Sequence, residues 1–511
     1  MTAIDSLKQR LLEVDDLNHA TALLRWDQAT YMPVGGAPAR GRQMATLSRI
    51  AHERFTEPEV GRLIDQAEKD TAGLPYDSDD AALVRVTRRA FEQSVRMPSA
   101  LVSETNEHFA HSYQVWTEAR PANDFARVRP LLEKTLDLSR RMADCFPGYE
   151  SIADPLIDFS DYGMKASSVR EVFTALRARL VPIARAITSR QTADDSCLKQ
   201  HAPEAGQLAF GLEVIRQYGY DFQRGRQDKT HHPFMTKFSL GDVRITTRVR
   251  EHDVTDALFS TLHECGHALY EQGIDQRFEG TPLAGGTSSG VHESQSRLWE
   301  NLVGRSRGFW EHFYPRIQKA FPTQLGNTPV DSFYRAVNKV DRSLIRVDAD
   351  EVTYNLHVML RFDLELDLLE GRVAVKDLPQ VWRERFDSDM GLAVPDDKDG
   401  ILQDVHWYAG PIGGAFQGYT LGNILSAQFF NAAVAANAGI PEQIRKGEFA
   451  TLHGWLKENV YRHGSKFTAA EIVVRATGGP MSIDPYLDYL WNKFAPLYGL
   501  KDEERQPAGV A

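Results

Sequence analysis

The chain has 511 residues, 42% of them hydrophobic, with 59 Lys+Arg against 70 Asp+Glu for a net charge of −11. That length supports one large buried core or two smaller ones. A mildly acidic chain with no basic run excludes nucleic acid and anionic membrane surfaces as expected partners. Three scattered cysteines, Cys145, Cys197 and Cys265, form neither a disulfide framework nor a cysteine metal site, and predict a reducing, cytoplasmic setting.

The first thirty residues place charges in every turn and lack the apolar stretch of a signal peptide. They read as helix, with Leu7, Leu11, Val14 and Leu17 at three- and four-residue steps. Punctuation follows at "MPVGGAPA" (32–39) and "AGLPYDSDD" (72–80). "FSLGDVRITTRVR" (238–250) breaks the helical rhythm: Val243, Ile245, Thr247 and Val249 share one face at period two after a turn at Gly241-Asp242, which predicts a hairpin. An exposed edge strand there can hold an extended peptide, and a hairpin that merely caps a helical core explains the pattern equally.

Next comes "TLHECGHALYEQG" (261–273), on a helix capped by Asp253 or Thr255, closed by Gly273 and carrying Leu258, Leu262, Cys265 and Leu269 on its apolar face. His263 and His267 are four apart and stack on one side, as two ligands of one divalent ion require. Glu264, one step round, is placed to take a proton from water on that ion. Cys265 projects elsewhere and reads as packing.

A catalytic zinc takes a third protein ligand and keeps an open position. After the glycine-serine turn "EGTPLAGGTSSG" (279–290), a second helix puts Val291, Ser294, Leu298 and Leu302 on one face and Glu293 beside it. Glu293 is the candidate third ligand; an ordinary i,i+4 pair with Arg297 accounts for it equally well. Further on, Val352, Leu356, Met359 and Leu360 mark another helix, and loops are expected at "AVPDDKDG" (393–400) and "YAGPIGGAFQGYT" (408–420). The closing "ERQPAGVA" is expected to be loose.

"LLRWDQATYMPVGGAPARGRQMATLS" (23–48), "HPF" (232–234), "DVRITT" (242–247), "HECGH" (263–267), "HESQ" (292–295), "IRVDADEVTY" (345–354) and "GILQDVHW" (400–407) occur in the order found in the carboxypeptidase Taq family, which the chain resembles over nearly its whole length. That resemblance implies a mostly α, neurolysin-like body with a deep cleft and one small sheet beside the zinc helix. It also implies a single domain over 1–511, with residues 1–115 covering the cleft and 230–430 supplying the site. The implied activity is zinc-dependent release of carboxy-terminal residues from peptides with broad preference, by a homodimer. His263, His267 and Glu293 are then the zinc ligands and Glu264 the general base and proton donor; cobalt fits the same ligand set.

Arg346 is the expected clamp for the substrate's terminal carboxylate, Arg244 the second choice and His232 a further substrate contact. His406 and Tyr419 are the matching oxyanion donors. Asp348, Asp350 and Glu351 serve either as helix-start charges or as carboxylates that orient a metal-bound histidine or hold Arg346. One block departs: where the family commonly has "GYFPTYTLG", this chain has "GGAFQGYTLG", keeping Tyr419 but changing the loop before it. The rival activities are oligoendopeptidase or dipeptidase action within the same helical group, and peptide binding without hydrolysis.

Overall fold

A computed structural model describes residues 2–505. Helices dominate it, with one three-stranded sheet among the described residues. The chain groups into two compact units, Met1–Val95 with Asp194–Val337 and Ser426–Met481, and Arg96–Ala193 with Asn338–Leu425 and Ser482–Ala511.

In the first unit the opening helix, Ala3–Thr30, starts from a capping box in which Thr2 Oγ1 accepts from Asp5 N–H and Asp5 accepts from Thr2 N–H. Leu7 and Leu11 are buried as their spacing predicts, while Val14 and Leu17 stay half-buried. The sheet is ordered β1 (Gln227–Lys229), β3 (Asp242–Thr247), β2 (Met235–Ser239), with β1 parallel and β2 antiparallel to β3. The hairpin therefore starts at Met235, earlier than its pattern indicates, and Val249 lies beyond the end of β3. β1 is invisible in the sequence because Gln-Asp-Lys has no apolar alternation. β2 forms one edge of the sheet, and β3 fills its centre with Val243 and Ile245 fully buried.

The strand leads into the histidine helix, Asp256–Gly273. Thr255 is its N-cap, and Asp253 accepts from both the amide and the hydroxyl of Thr255. Leu258, Leu262, Cys265 and Leu269 are all buried, each leucine worth about 1.5–3 kcal/mol of transfer free energy. The glutamate helix, Ser289–Arg297, follows, with Ser288 as N-cap accepting from Val291 N–H at 3.1 Å. It then widens into a π-helical turn over Leu298–Val303, where the periodicity alone predicts an unbroken α-helix. Such turns gather at functional sites, and this one carries Glu300.

The second unit holds the helix Tyr354–Leu369, which starts just after Val352 and is buried along almost its whole length; its Phe362 ring meets Phe173 edge-on at 5.0 Å. In the departing loop, Gly413 and Gly414 have φ of +107° and +78°, and a Cβ on Gly414 would lie 2.3 Å from the Leu156 carbonyl oxygen. Two glycines in a row are thus a backbone requirement of this loop, which delivers Tyr419 to the helix Gln417–Ala436. Of the tail expected to be loose, Glu504 and Arg505 sit in a short 3₁₀ turn and 506–511 lie outside the described residues. Among the described residues no helix is long and apolar enough to cross a membrane.

Candidate metal centre

His263 and His267 project from one side of the histidine helix, their rings 5.0 Å apart and nearly perpendicular. The glutamate helix brings Glu293 against them, with Oε2 3.6 Å from His263 Nε2 and 3.4 Å from His267 Nε2. One donor atom from each of the three lies within 4.8 Å of the other two. Ligands about 2.1 Å from a tetrahedral ion stand about 3.4 Å from one another, and the two separations from Glu293 Oε2 to the imidazoles match that spacing.

The closeness has a cause in the chain. A Cβ on Gly266 would lie 2.5 Å from the Gln295 carbonyl oxygen and 2.6 Å from Ser296 Cα. Glycine between the two histidines lets the helices touch backbone to backbone, and that contact carries Glu293 to the site.

The far side of every donor is held. His263 Nδ1 bonds Glu300 Oε2 at 2.9 Å, and His267 Nδ1 bonds His292 Nδ1 at 2.7 Å. Glu293 Oε1 accepts from Arg297 Nε at 2.8 Å, while Oε2 accepts from the Ser296 hydroxyl at 3.0 Å and faces the imidazoles. The Glu293–Arg297 pair therefore exists alongside the oxygen that faces the imidazoles and is buried, since Glu293 is 6% exposed. Two imidazole nitrogens and one carboxylate oxygen, each oriented by a partner, fit a divalent zinc or cobalt ion.

Glu264 is buried on the next step of the helix. Burial, reinforced by the Glu293 and Glu300 charges and opposed by His263, pushes it up to about 7. Burial also drives Glu293 toward its neutral form, but Arg297 and the two histidines prevail and hold it well below the usual carboxylate range. Burial lowers His267 to about 4, whereas the Glu293 and Glu300 carboxylates overcome burial at His263 and raise it.

Within the second unit, Asp404 gathers a separate polar cluster. Arg346 reaches it through Nη2 at 2.8 Å and Nε at 3.1 Å and donates to Tyr354 Oη at 3.0 Å, while Arg361 bonds its other oxygen. His406 Nδ1 stands 3.6 Å from Asp404, and His406 Nε2 bonds Tyr419 Oη at 3.2 Å. Arg346, His406 and Tyr419 thus belong to one network. Asp350 instead caps the turn at residues 350–353, accepting from Val352 and Thr353 amides, and Glu351 pairs with Lys493. The counter-ion of Arg346 is Asp404. Arg244 is forked onto Asp242 and stacked 4.5 Å over Trp26, and His232 is exposed between β1 and β2.

Sequence reasoning passed over Glu300, His292, Glu271, Asp404 and Arg361. His292 and Asp404 lie inside "HESQ" and "GILQDVHW", but no spacing rule reveals what a side chain leans on across two helices.

A helical protein with this donor set belongs to the metallopeptidase class, and the comparisons narrow it. The model of the carboxypeptidase Taq (M32) metallopeptidase family matches residues 6–494, and the chain belongs to that family. The thermostable carboxypeptidase 1 of Thermus thermophilus is 41% identical over 488 residues, 94% of this chain and 95% of the relative. The crystal structure of an M32 carboxypeptidase from Deinococcus radiodurans R1 superposes with a TM-score of 0.95 at 52% identity, covering 98% of this chain and 100% of that one. A Pyrococcus furiosus carboxypeptidase structure gives 0.93 at 32% identity, covering 97% and 99%. The chain is accordingly a metallocarboxypeptidase that acts on peptides.

Proposed function

We propose that this metallocarboxypeptidase is zinc-dependent and of broad side-chain preference, with His263, His267 and Glu293 as the ligands. The observation that carries the reading is the pair of 3.4 and 3.6 Å separations between Glu293 Oε2 and the two imidazole Nε2 atoms. Zinc held there supplies Lewis acidity to water and to the scissile carbonyl, and cobalt supplies the same. Glu264 takes the proton from the attacking water and returns it to the leaving amine. In the metal-free chain burial raises Glu264 to about 7, and the charge of a bound cation lowers it from there, toward the carboxylate that accepts the proton.

Arg346 is assigned to the substrate's terminal carboxylate, and His406 and Tyr419 to the oxyanion. Support comes from their grouping around Asp404: Arg346 is hydrogen-bonded to it, and His406, which bonds Tyr419 Oη, stands 3.6 Å from it. Arg244 and His232 are assigned to lesser substrate contacts. The edge strand β2 is assigned to the peptide main chain; the backbone of Met235 at its start lies close enough to Glu264 to favour its charged form. Residues 1–511 act as one catalytic domain, as a homodimer in the cytoplasm, with neither nucleic acid nor membrane as partner.

Two experiments test this. Glu264→Gln is expected to keep its zinc by elemental analysis while turnover drops by about 10²–10⁴; unchanged turnover refutes the assignment. Amidating a peptide's carboxy terminus is expected to abolish cleavage, and equal cleavage of the amide overturns the role given to Arg346.

A further inference from the structure

The two histidines are braced by unlike partners. His263 leans directly on a carboxylate, Glu300. His267 leans on another imidazole, whose far nitrogen bonds Glu271: His267 Nδ1 to His292 Nδ1 is 2.7 Å, and His292 Nε2 to Glu271 Oε1 is 2.8 Å. Glu271 Oε2 in turn accepts from Lys237 Nζ at 2.7 Å, and its Oε1 also accepts from Gly286 N–H at 3.0 Å. Lys237 lies on β2 and donates as well to the Ala284 carbonyl. Glu271 is 4% exposed, and a Cβ on Gly286 would come within 2.5 Å of His292 Cδ2, so the His292 ring is closely confined.

We propose that Lys237, Glu271 and His292 are positioning residues for the metal centre, forming a hydrogen-bonded relay from the edge strand to His267 that leaves its Nε2 bare and aimed at the ion. The proton count follows from the partners. Glu271 receives Lys237 and the Gly286 amide, so its oxygens act as acceptors and His292 Nε2 is the donor to it. A neutral imidazole with hydrogen on Nε2 has a bare Nδ1, which accepts from His267 Nδ1–H. The only nitrogen of His267 then free of hydrogen is Nε2, the atom that faces Glu293. Removing the anchor at Lys237 and Glu271 frees the His292 ring to rotate or change tautomer, and His267 loses its fixed lone pair.

The same relay ties β2 to the histidine helix, so the strand whose Met235 backbone meets Glu264 is pinned by a side chain two residues along it. Neither the spacing of HExxH nor that of HESQ foretells this link, because Lys237, Glu271 and His292 come from three elements.

This inference rests on the metal reading proposed above, and the experiment separates the two. Metal-free wild type, Glu271→Gln, the Lys237→Met/Glu271→Gln double variant and Lys237→Arg are titrated with zinc against a chromogenic chelator, and their cobalt absorption spectra are recorded. The double variant leaves no stranded charge and so supplies a folded protein if Glu271→Gln alone fails to fold. Affinity is expected to fall about 10–100-fold in Glu271→Gln and in the double variant, with displaced cobalt bands. Lys237→Arg is expected to retain both the wild-type affinity and the wild-type spectrum, because arginine keeps a donor to Glu271. Wild-type affinity and an unchanged cobalt spectrum in the double variant overturn the relay. A wild type that binds neither metal overturns the metal reading itself.

Discussion

Gly266 stands where the histidine helix and the glutamate helix touch, and alanine there tests the whole geometry of the site. The added Cβ would lie 2.5 Å from the Gln295 carbonyl oxygen and 2.6 Å from Ser296 Cα, whereas ordinary contact begins near 3.4 Å. Both obstacles are backbone, so no side chain can swing aside. The helices must part by about 0.8–0.9 Å, a strain of about 1–3 kcal/mol, against which alanine's better helix propensity returns about 0.5–1 kcal/mol. Glu293 lies two residues before Gln295 and moves with it. Metal ligation tolerates about 0.2 Å, so the displacement exceeds what the ion accepts by several-fold.

Gly266→Ala is therefore expected to lower zinc affinity at least as much as losing an outer partner, about 10–100-fold, with a modest drop in the melting temperature of the metal-free protein. Chelator competition and thermal unfolding read the two effects separately. Gly454→Ala, where a Cβ meets nothing within 4 Å, is the control and should leave both unchanged or slightly improved. Wild-type zinc affinity in Gly266→Ala would show that Glu293 reaches the site by some route other than this helix contact.

Three further outcomes are expected. Asp404→Asn strands Arg346 and Arg361, whose side chains are 8% and 1% exposed, and should cost about 3–5 kcal/mol in denaturant titration; an unaltered midpoint refutes the pairing. Glu365 accepts from Trp407 Nε1 at 2.9 Å, and burial pushes its carboxyl up from 4.5 to about 7. Because the folded value is the higher, its contribution is complete below about pH 4.5 and is lost as pH rises through 7, so Glu365→Gln should gain on wild type across that interval in a melting series; a constant offset between the two curves sinks the assignment. Stripping the metal with a chelator should lower the melting temperature and abolish turnover, with zinc or cobalt restoring both, since an ion at 100 times its Kd stabilises by about 2.7 kcal/mol. Full activity in the stripped protein would contradict metal dependence.

Much of this protein follows from local rules that act along one chain segment. Four residues of an α-helix bring His263 and His267 to one side whatever packs around them, and the same periodicity marks the apolar stripe from Leu258 to Leu269. Alternation exposes β3, and glycine, proline and serine mark the turns. Where a residue's role depends on a neighbour distant in sequence, the pattern is silent: β1 has no alternation to show, the π turn at Leu298–Val303 breaks a regular spacing, and Glu293 reads equally as a partner of Arg297.

Tertiary structure decided those points because hydrogen bonds and close packing join atoms across elements. Glu293 uses one oxygen for Arg297 and turns the other to the imidazoles and Ser296, so the ion pair leaves room for the ligand role proposed for it. Asp404, 58 and 43 positions from the two arginines, supplies their counter-charge, and His292 shares a helix with Glu293 yet serves the histidine of another. Local spacing chose the donor atoms; only the meeting of two helices at Gly266 chose where they point.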